Sequence, residues 1–169
     1  LDEAFGKQAA IVGVEIGVGR GGTSSVLLSK NSNLMLHMVD TWELLPPNPA
    51  FPHVTKDVLI GCREQAIQAT EFAGARRNII HTTSRRASAL FKDSSIDFVF
   101  IDGDHSLNHV SFDLLLWFPK VRPGGLVTGH DYNLASVKKP VNEFAKINGF
   151  DLVSAYRVWS FVKSRDIFM

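Results

Sequence analysis

The sequence predicts a doubly wound α/β fold: a seven-stranded, mostly parallel sheet between two layers of helices, with an antiparallel C-terminal strand. Three features of the chain point to it. Five short apolar runs alternate with segments of helical periodicity, the first run ends in a glycine-rich turn, and the last two strand-like runs have no helix between them. Strand–helix alternation favours crossover connections, and hence parallel strands covered on both faces. The closing pair of runs breaks that rhythm and reads as a hairpin at or near one edge.

The five runs are AIVGVEIG (10–17), LMLHMVD (34–40), NIIHTT (78–83), IDFVFID (96–102) and GLVTGHD (125–131). Each is a short apolar run of the kind a two-sided sheet buries. TKDVLIGCREQAIQATEF (55–72) carries Leu59, Cys62, Ala66 and Ala69 on one helical face, which makes Cys62 a packed, inert thiol. SLNHVSFDLLLWF (106–118) aligns Leu107, Val110, Leu114 and Trp117, with Ser106 placed to cap it. Pro140 suits the first turn of a further helix whose Val141 and Phe144 face inward and whose end is Gly149. FDLVSAYRVWSFVKS (150–164) supplies the hairpin. The Pro-rich LLPPNPAFPHV (44–54) is a loop inside one domain spanning 1–169, since too little chain lies on either side for a linker.

Composition narrows the classes of function. With 18 Lys and Arg against 17 Asp and Glu, the formal net charge is +1, so overall charge gives no reason to expect nucleic acid. The pairs Arg76-Arg77 and Arg85-Arg86 read as solvated surface. A single cysteine excludes an internal disulfide and cannot alone build a Cys-rich zinc site. No run reaches the length of a membrane span and the first residues lack the order of a signal peptide, so no membrane association and a cytoplasmic location are expected.

The chemistry-bearing residues gather at the ends of the strand-like runs. The first gives Glu15 and a turn with Gly17, Gly19 and Gly22 in G-x-G-x-x-G spacing; the second gives Asp40; the third gives Thr83 and Ser84. The fourth ends in Asp102, Gly103, Asp104 and His105, and the fifth in His130 and Asp131. In an open parallel sheet, ligands bind beyond the carboxyl ends of the strands. Polar residues at five consecutive strand ends therefore mark one shared cleft. Glycines let the main chain approach a ligand closely, and an acid about twenty residues past such a turn accepts from ribose hydroxyls. Both traits suit NAD and other adenosine ligands alike. No Tyr-x-x-x-Lys proton relay is present, and the terminal hairpin favours a different seven-stranded architecture from that of a dehydrogenase.

The segments VEIGVGRGGTS, MVDTW, IDFVFIDGDHS and VRPGGLVTGHDY resemble class I S-adenosylmethionine-dependent methyltransferases, which have a Rossmann-like, three-layer α/β/α fold. They are most similar to the branch of metal-dependent sugar O-methyltransferases and cephalosporin-hydroxylase-like proteins, with catechol-type enzymes more distant. The resemblance runs from about residue 11 to 163, and its specific part is FIDGDHS followed by the Pro-Gly-Gly and His-Asp of the fifth run. It implies that Glu15, Gly17 and Gly19 line the methionine and ribose part of the cofactor, with Thr23 near its carboxylate. Asp40 would hold the ribose hydroxyls, and Thr83 and Ser84 would sit beside the adenine. Asp102 would face both the cofactor and a divalent metal such as Mg²⁺, with Asp131 as second ligand and His105 as general base. The chain departs from that pattern at His130, where the sugar-methylating relatives place an acid; Asp104 and Asn133 are candidates to compensate.

Physical chemistry supports such a set. Methyl transfer to oxygen is a displacement at a sulfonium carbon, so the nucleophile must be aligned and deprotonated. A bound Mg²⁺ polarises a hydroxyl, carboxylates suit that ion, and an imidazole accepts the proton. The expected acceptor is a small-molecule hydroxyl. Few residues precede the first strand, which leaves acceptor selection to the 44–54 loop, the 131–139 loop, a neighbouring copy in a homo-oligomer or a further N-terminal segment. Trp42 divides between adenine stacking and core, Trp117 and Trp159 belong to the core, His37 and His109 are packing or surface, and Asp97 only precedes a strand. Two rivals stand: a degenerate, non-catalytic cofactor-binding module whose His130 records a lost metal site, and an NAD-dependent oxidoreductase.

Overall fold

β1 (Ile11–Ile16) lies near the middle of a sheet ordered β3-β2-β1-β4-β5-β7-β6. The structure, a computed structural model, describes residues 10–43 and 55–164; the 44–54 loop lies outside them. The chain runs β1, α1 (Gly22–Lys30), β2 (Leu34–Asp40), α2 (Lys56–Ala69), β3 (Arg77–His81) and α3 (Ser84–Ser88). It continues through β4 (Ile96–Ile101), α4 (Leu107–Trp117), β5 (Val121–Gly129), α5 (Ala135–Asn148), β6 (Val153–Ala155) and β7 (Val158–Val162). Strands β1 to β5 pair in parallel, while β7 is antiparallel to both β5 and β6 and stands between them. The order changes direction between β1 and β4, which opens a crevice at their carboxyl ends.

Side chains alternate across the sheet and fill two cores. On one face Val14, Ile16, Val99 and Val127 meet Trp117 of α4, Val141 and Phe144 of α5, and Trp159 and Phe161 of β7. On the other, Ile11, Leu36, Met38 and Phe98 pack with Leu28 of α1 and Ala66 of α2. Thr55 caps α2 by accepting from Val58 N at 3.3 Å, and Gly149 ends α5 in the left-handed conformation. Cys62 is half-buried against the second core.

Several expectations need correction. α5 starts at Ala135, so Pro140 sits inside the helix rather than in its first turn; its missing N–H leaves the Ser136 carbonyl without the usual helical partner. Ser106 occupies the start of α4, but its hydroxyl makes no cap and meets His109 Nδ1 at 2.8 Å. Leu107 is exposed, because the inward stripe begins only at Val110. Asp97 lies within β4, buried, where it accepts from Val12 N at 2.7 Å and Arg122 Nε at 2.6 Å. Arg76 and Arg77 are half-buried: Arg76 donates to the Leu28 and Asn31 carbonyls, and Arg77 to Ile67 O and Thr70 Oγ1. Lys163 is fully buried, its ammonium donating to Val121 O at 2.7 Å above the Phe118 ring. No helix among the described residues is long and apolar enough to cross a membrane.

Candidate active site

The glycine turn is stitched to the neighbouring strands. Gly17 N donates to Val39 O at 2.9 Å, and Asp102 N donates to Ile16 O at 2.8 Å. At Gly17 φ is +85°, and a Cβ would run into the Asp102 carbonyl; the position tolerates no side chain. The third glycine the structure requires is Gly21, not the Gly22 that the spacing singles out. Gly21 has φ +79°, and a Cβ there would lie 2.8 Å from Ala66 Cα on α2. Asp40 fixes the turn from the end of β2: one carboxylate oxygen accepts from Gly19 N at 2.8 Å, the other from Trp42 N at 2.7 Å. Trp42 is buried and donates its indole N–H to Gly19 O at 2.8 Å. Of the two readings of Trp42, the structure takes the core one.

Beneath the turn lies Glu15, 1% exposed, accepting from the Ser24 hydroxyl. Burial pushes its carboxyl up to about 8; the Ser24 bond opposes this, and the nearby charges of Asp102 and Asp40 add to it. The carboxyl is therefore mostly protonated at neutral pH.

Above the carboxyl ends of β1 to β4 opens a cavity of about 400 Å³, within the size range of small-molecule sites. Gly17 and Gly19 line it from the first loop, Asp40 and Thr41 from the second, Thr83 and Ser84 from the third, and Asp102 and Asp104 from the fourth. His109 and Asp113 complete it from α4. Thr83 caps α3, its hydroxyl accepting from Arg86 N at 3.3 Å. Ser84 donates to Asp113 and accepts from Trp117 Nε1 at 2.8 Å. Burial raises the Asp113 carboxyl to about 6.

Beside the cavity, and joined to it through Asp102, stands a charged cluster. His105 Nε2 lies 3.4 Å from Asp102 Oδ1 and 3.0 Å from Asp131 Oδ2. The Asp102 hydrogen bond, helped by the charges of Asp131, Asp102 and Asp104, raises the imidazole above its ordinary value against the opposing effect of burial. His130 Nδ1 is 3.4 Å from Asp131 and 3.7 Å from Asp102, so it belongs to the cluster. Arg157, from the turn between β6 and β7, pairs with Asp131. One oxygen or nitrogen from each of Asp102, His105 and Asp131 falls within 4.8 Å of the others. Two carboxylates and an imidazole are ligand types that a divalent ion takes, although Arg157 already holds one oxygen of Asp131. A nitrogen coordinated there would no longer be free to act as a base.

The sequence-predicted residues thus share one rim. Gly17, Gly19, Asp40, Thr83, Ser84 and Asp102 line the cavity, and His105 and Asp131 adjoin it. Glu15 and Thr23 are not among the lining residues: Glu15 is sealed below, and Thr23 is half-buried in the first turn of α1. Neither expected substitute for His130 joins the cluster. Asp104 accepts from Ser106 N at 2.7 Å, and Asn133 accepts from Arg157 Nε at 2.9 Å. Sequence reasoning missed His109 and Asp113 as cavity residues. The signal for Asp113 was an acid set three residues after Val110, inside an otherwise apolar stripe. Arg157 carried no signal, because only the folded hairpin brings it to Asp131.

A 3-2-1-4-5-7-6 sheet with β7 reversed, and a cavity over β1 to β4, are the architecture of class I S-adenosylmethionine-dependent methyltransferases. The model of the methyltransferase-domain family matches residues 14–132, more than half of the chain, and the chain belongs to that family. With the family shown, the oxidoreductase reading falls. No curated protein matches the sequence. Among solved structures, the chain is similar to a precorrin-6y C5,15-methyltransferase from Geobacter metallireducens, at 15% identity, over 96% of this chain and 85% of that one, TM-score 0.67. A caffeoyl-CoA O-methyltransferase-like protein from Staphylococcus aureus matches at 15% identity over 90% and 76%, TM-score 0.62. A 1,6-didemethyltoxoflavin-N1-methyltransferase from Burkholderia thailandensis, solved with S-adenosylhomocysteine, matches at 14% over 92% and 72%, TM-score 0.60. At these identities the likeness shows the fold.

Proposed function

We propose that this chain transfers the methyl group of S-adenosylmethionine to a hydroxyl of a small molecule, with His105 as general base. The observation that carries the reading is the His105 imidazole set between two carboxylates at the edge of the cavity. In this reading the cofactor lies along the cavity, its ribose hydroxyls toward Asp40 and its adenine beside Thr83 and Ser84. The acceptor oxygen attacks the methyl carbon, the carbon–sulfur bond breaks, and sulfur keeps the electron pair. The acceptor's proton passes to the ring nitrogen of His105 that is not engaged by the carboxylates, and Asp102 and Asp131, facing Nε2, stabilise the imidazolium that forms. The S-adenosylhomocysteine bound in the Burkholderia structure and the O-methyltransferase-like neighbour support the cofactor and the acceptor class.

Calorimetry with S-adenosylmethionine, followed by transfer of labelled methyl to a panel of sugars and phenols, tests the reading. His105→Ala should lower kcat by roughly 10²–10⁴-fold with cofactor affinity kept, and a fully active variant removes His105 as base. Cofactor binding with no transfer to any hydroxyl would leave a binding module instead.

A second reading has its own observation, the convergence of three donor atoms within 4.8 Å. Asp102, His105 and Asp131 would hold a divalent ion, which when bound supplies Lewis-acid polarisation of the acceptor hydroxyl.

A further inference from the structure

Asp131 differs from Asp102 in that both of its carboxylate oxygens are engaged. Oδ1 pairs with Arg157 Nη2, and Oδ2 lies 3.0 Å from His105 Nε2. Its backbone is held in the left-handed region at φ +54°, and its side chain is 12% exposed, so the carboxylate has little freedom to turn toward solvent. Arg157 is fixed at two further points. Its Nε donates to Asn133 Oδ1 at 2.9 Å, and its carbonyl accepts from Tyr132 N at 3.0 Å. The β6–β7 turn therefore closes over the Asp131–Asn133 segment and delivers a guanidinium to it.

A guanidinium stays charged throughout the working pH range and matches a carboxylate in shape. An ion bridging Asp102 and Asp131 would need the space around His105 Nε2 and would face this fixed positive charge on the same carboxylate. Asp131 is 12% exposed and Arg157 55%, so solvent screens this repulsion in part without removing it. The geometry points to Arg157 as the cation of the site. It takes the place of a divalent ion at Asp131, keeps added cations weakly bound, and holds the carboxylate toward His105, so that methyl transfer proceeds without metal. Arg157 is then a positioning residue acting through Asp131. The inference rests on Asp102, His105 and Asp131 being the reacting centre, and it selects the first of the two readings above.

Mn²⁺ is the probe, its binding to the full chain followed by electron paramagnetic resonance of the free ion. Wild-type protein should bind weakly, and Arg157→Met should bind roughly 10–100-fold more tightly, because a like charge on the same carboxylate is removed. Arg157→Lys, which keeps the charge, should stay near wild type. Adding Asp131→Asn to Arg157→Met should abolish the gain. Calorimetry with S-adenosylhomocysteine checks that each variant keeps a folded cavity. Equal Mn²⁺ affinity in wild type and Arg157→Met overturns the proposal, whether both are tight or both are absent. So does an Arg157→Lys variant that binds as tightly as Arg157→Met. These arms need no turnover, so they decide the role of Arg157 even if methyl transfer to hydroxyls is never observed. Where transfer is observed, wild-type activity abolished by a chelator and restored by Mn²⁺ would also overturn the proposal.

Discussion

Glu15 shows how a single buried acid couples stability to pH. Its carboxyl titrates near 4.5 in an ordinary setting and near 8 in the fold, because burial disfavours the charged form. Between those values the native chain retains a proton that the unfolded chain has released, so stability is fullest below the lower value and declines as pH rises through the upper one. One such proton gives a slope of about 1.4 kcal/mol per pH unit. Asp113, raised from 3.8 to about 6, adds in the same direction over its narrower window. Glu15→Gln keeps the size of the side chain and an oxygen for Ser24 but cannot ionise. Its urea midpoint should therefore vary less than wild type between about pH 5 and about pH 8; an unchanged pH profile would show that the carboxyl is not the source. Asp40 makes a separate claim at the same scale. Asp40→Ala should weaken S-adenosylhomocysteine binding by about 1–3 kcal/mol in calorimetry, and unaltered affinity would refute a ribose contact.

At the scale of elements, the junction of α1 and α2 depends on Gly21. Any side chain there must adopt a left-handed backbone and push into Ala66. Gly21→Ala should cost about 1–2 kcal/mol for the backbone alone, with more from the contact, read as a lowered denaturation midpoint; a wild-type midpoint would mean that the helices part without strain. Gly21 also marks what could be read before folding. Apolar runs located the strands, the inner ones because burial on both faces demands such runs, whereas the exposed β6 was legible only as half of the terminal hairpin, and the glycine turn located the cleft. The third glycine was misassigned to Gly22, since spacing records distance along the chain, whereas Gly21 is required by α2, which lies far away in sequence. Pro140 was misplaced for a related reason: packing of Val137 and Val141 extends α5 ahead of the proline despite the lost hydrogen bond. Asp40 and Asp102 were legible because each closes a strand or follows one directly, and His105 because it lies in the loop that Asp102 opens. Arg157 lay beyond reach, as its partner Asp131 is 26 positions away.

The whole molecule is held on its far side by an aromatic stack. Phe161 lies 5.2 Å from Phe150, 5.9 Å from Phe144 and 6.1 Å from Trp159, centroid to centroid. Phe161→Ala should destabilise by about 3–5 kcal/mol in equilibrium unfolding, and a loss below about 1 kcal/mol would mean that the stack collapses to fill the gap. That ring belongs to β7, the last strand in sequence among the described residues and yet an interior one. During synthesis β5 stands with an open edge until Val158–Val162 emerges to pair with it, and unpaired edges invite wrong partners. Arg157 leads that same strand into place. The nascent protein thus acquires its closing sheet pairing and the guanidinium facing Asp131 in one late event, and a ribosome-stalled chain lacking β7 would carry the glycine loop and Asp102 without a finished charge arrangement around them.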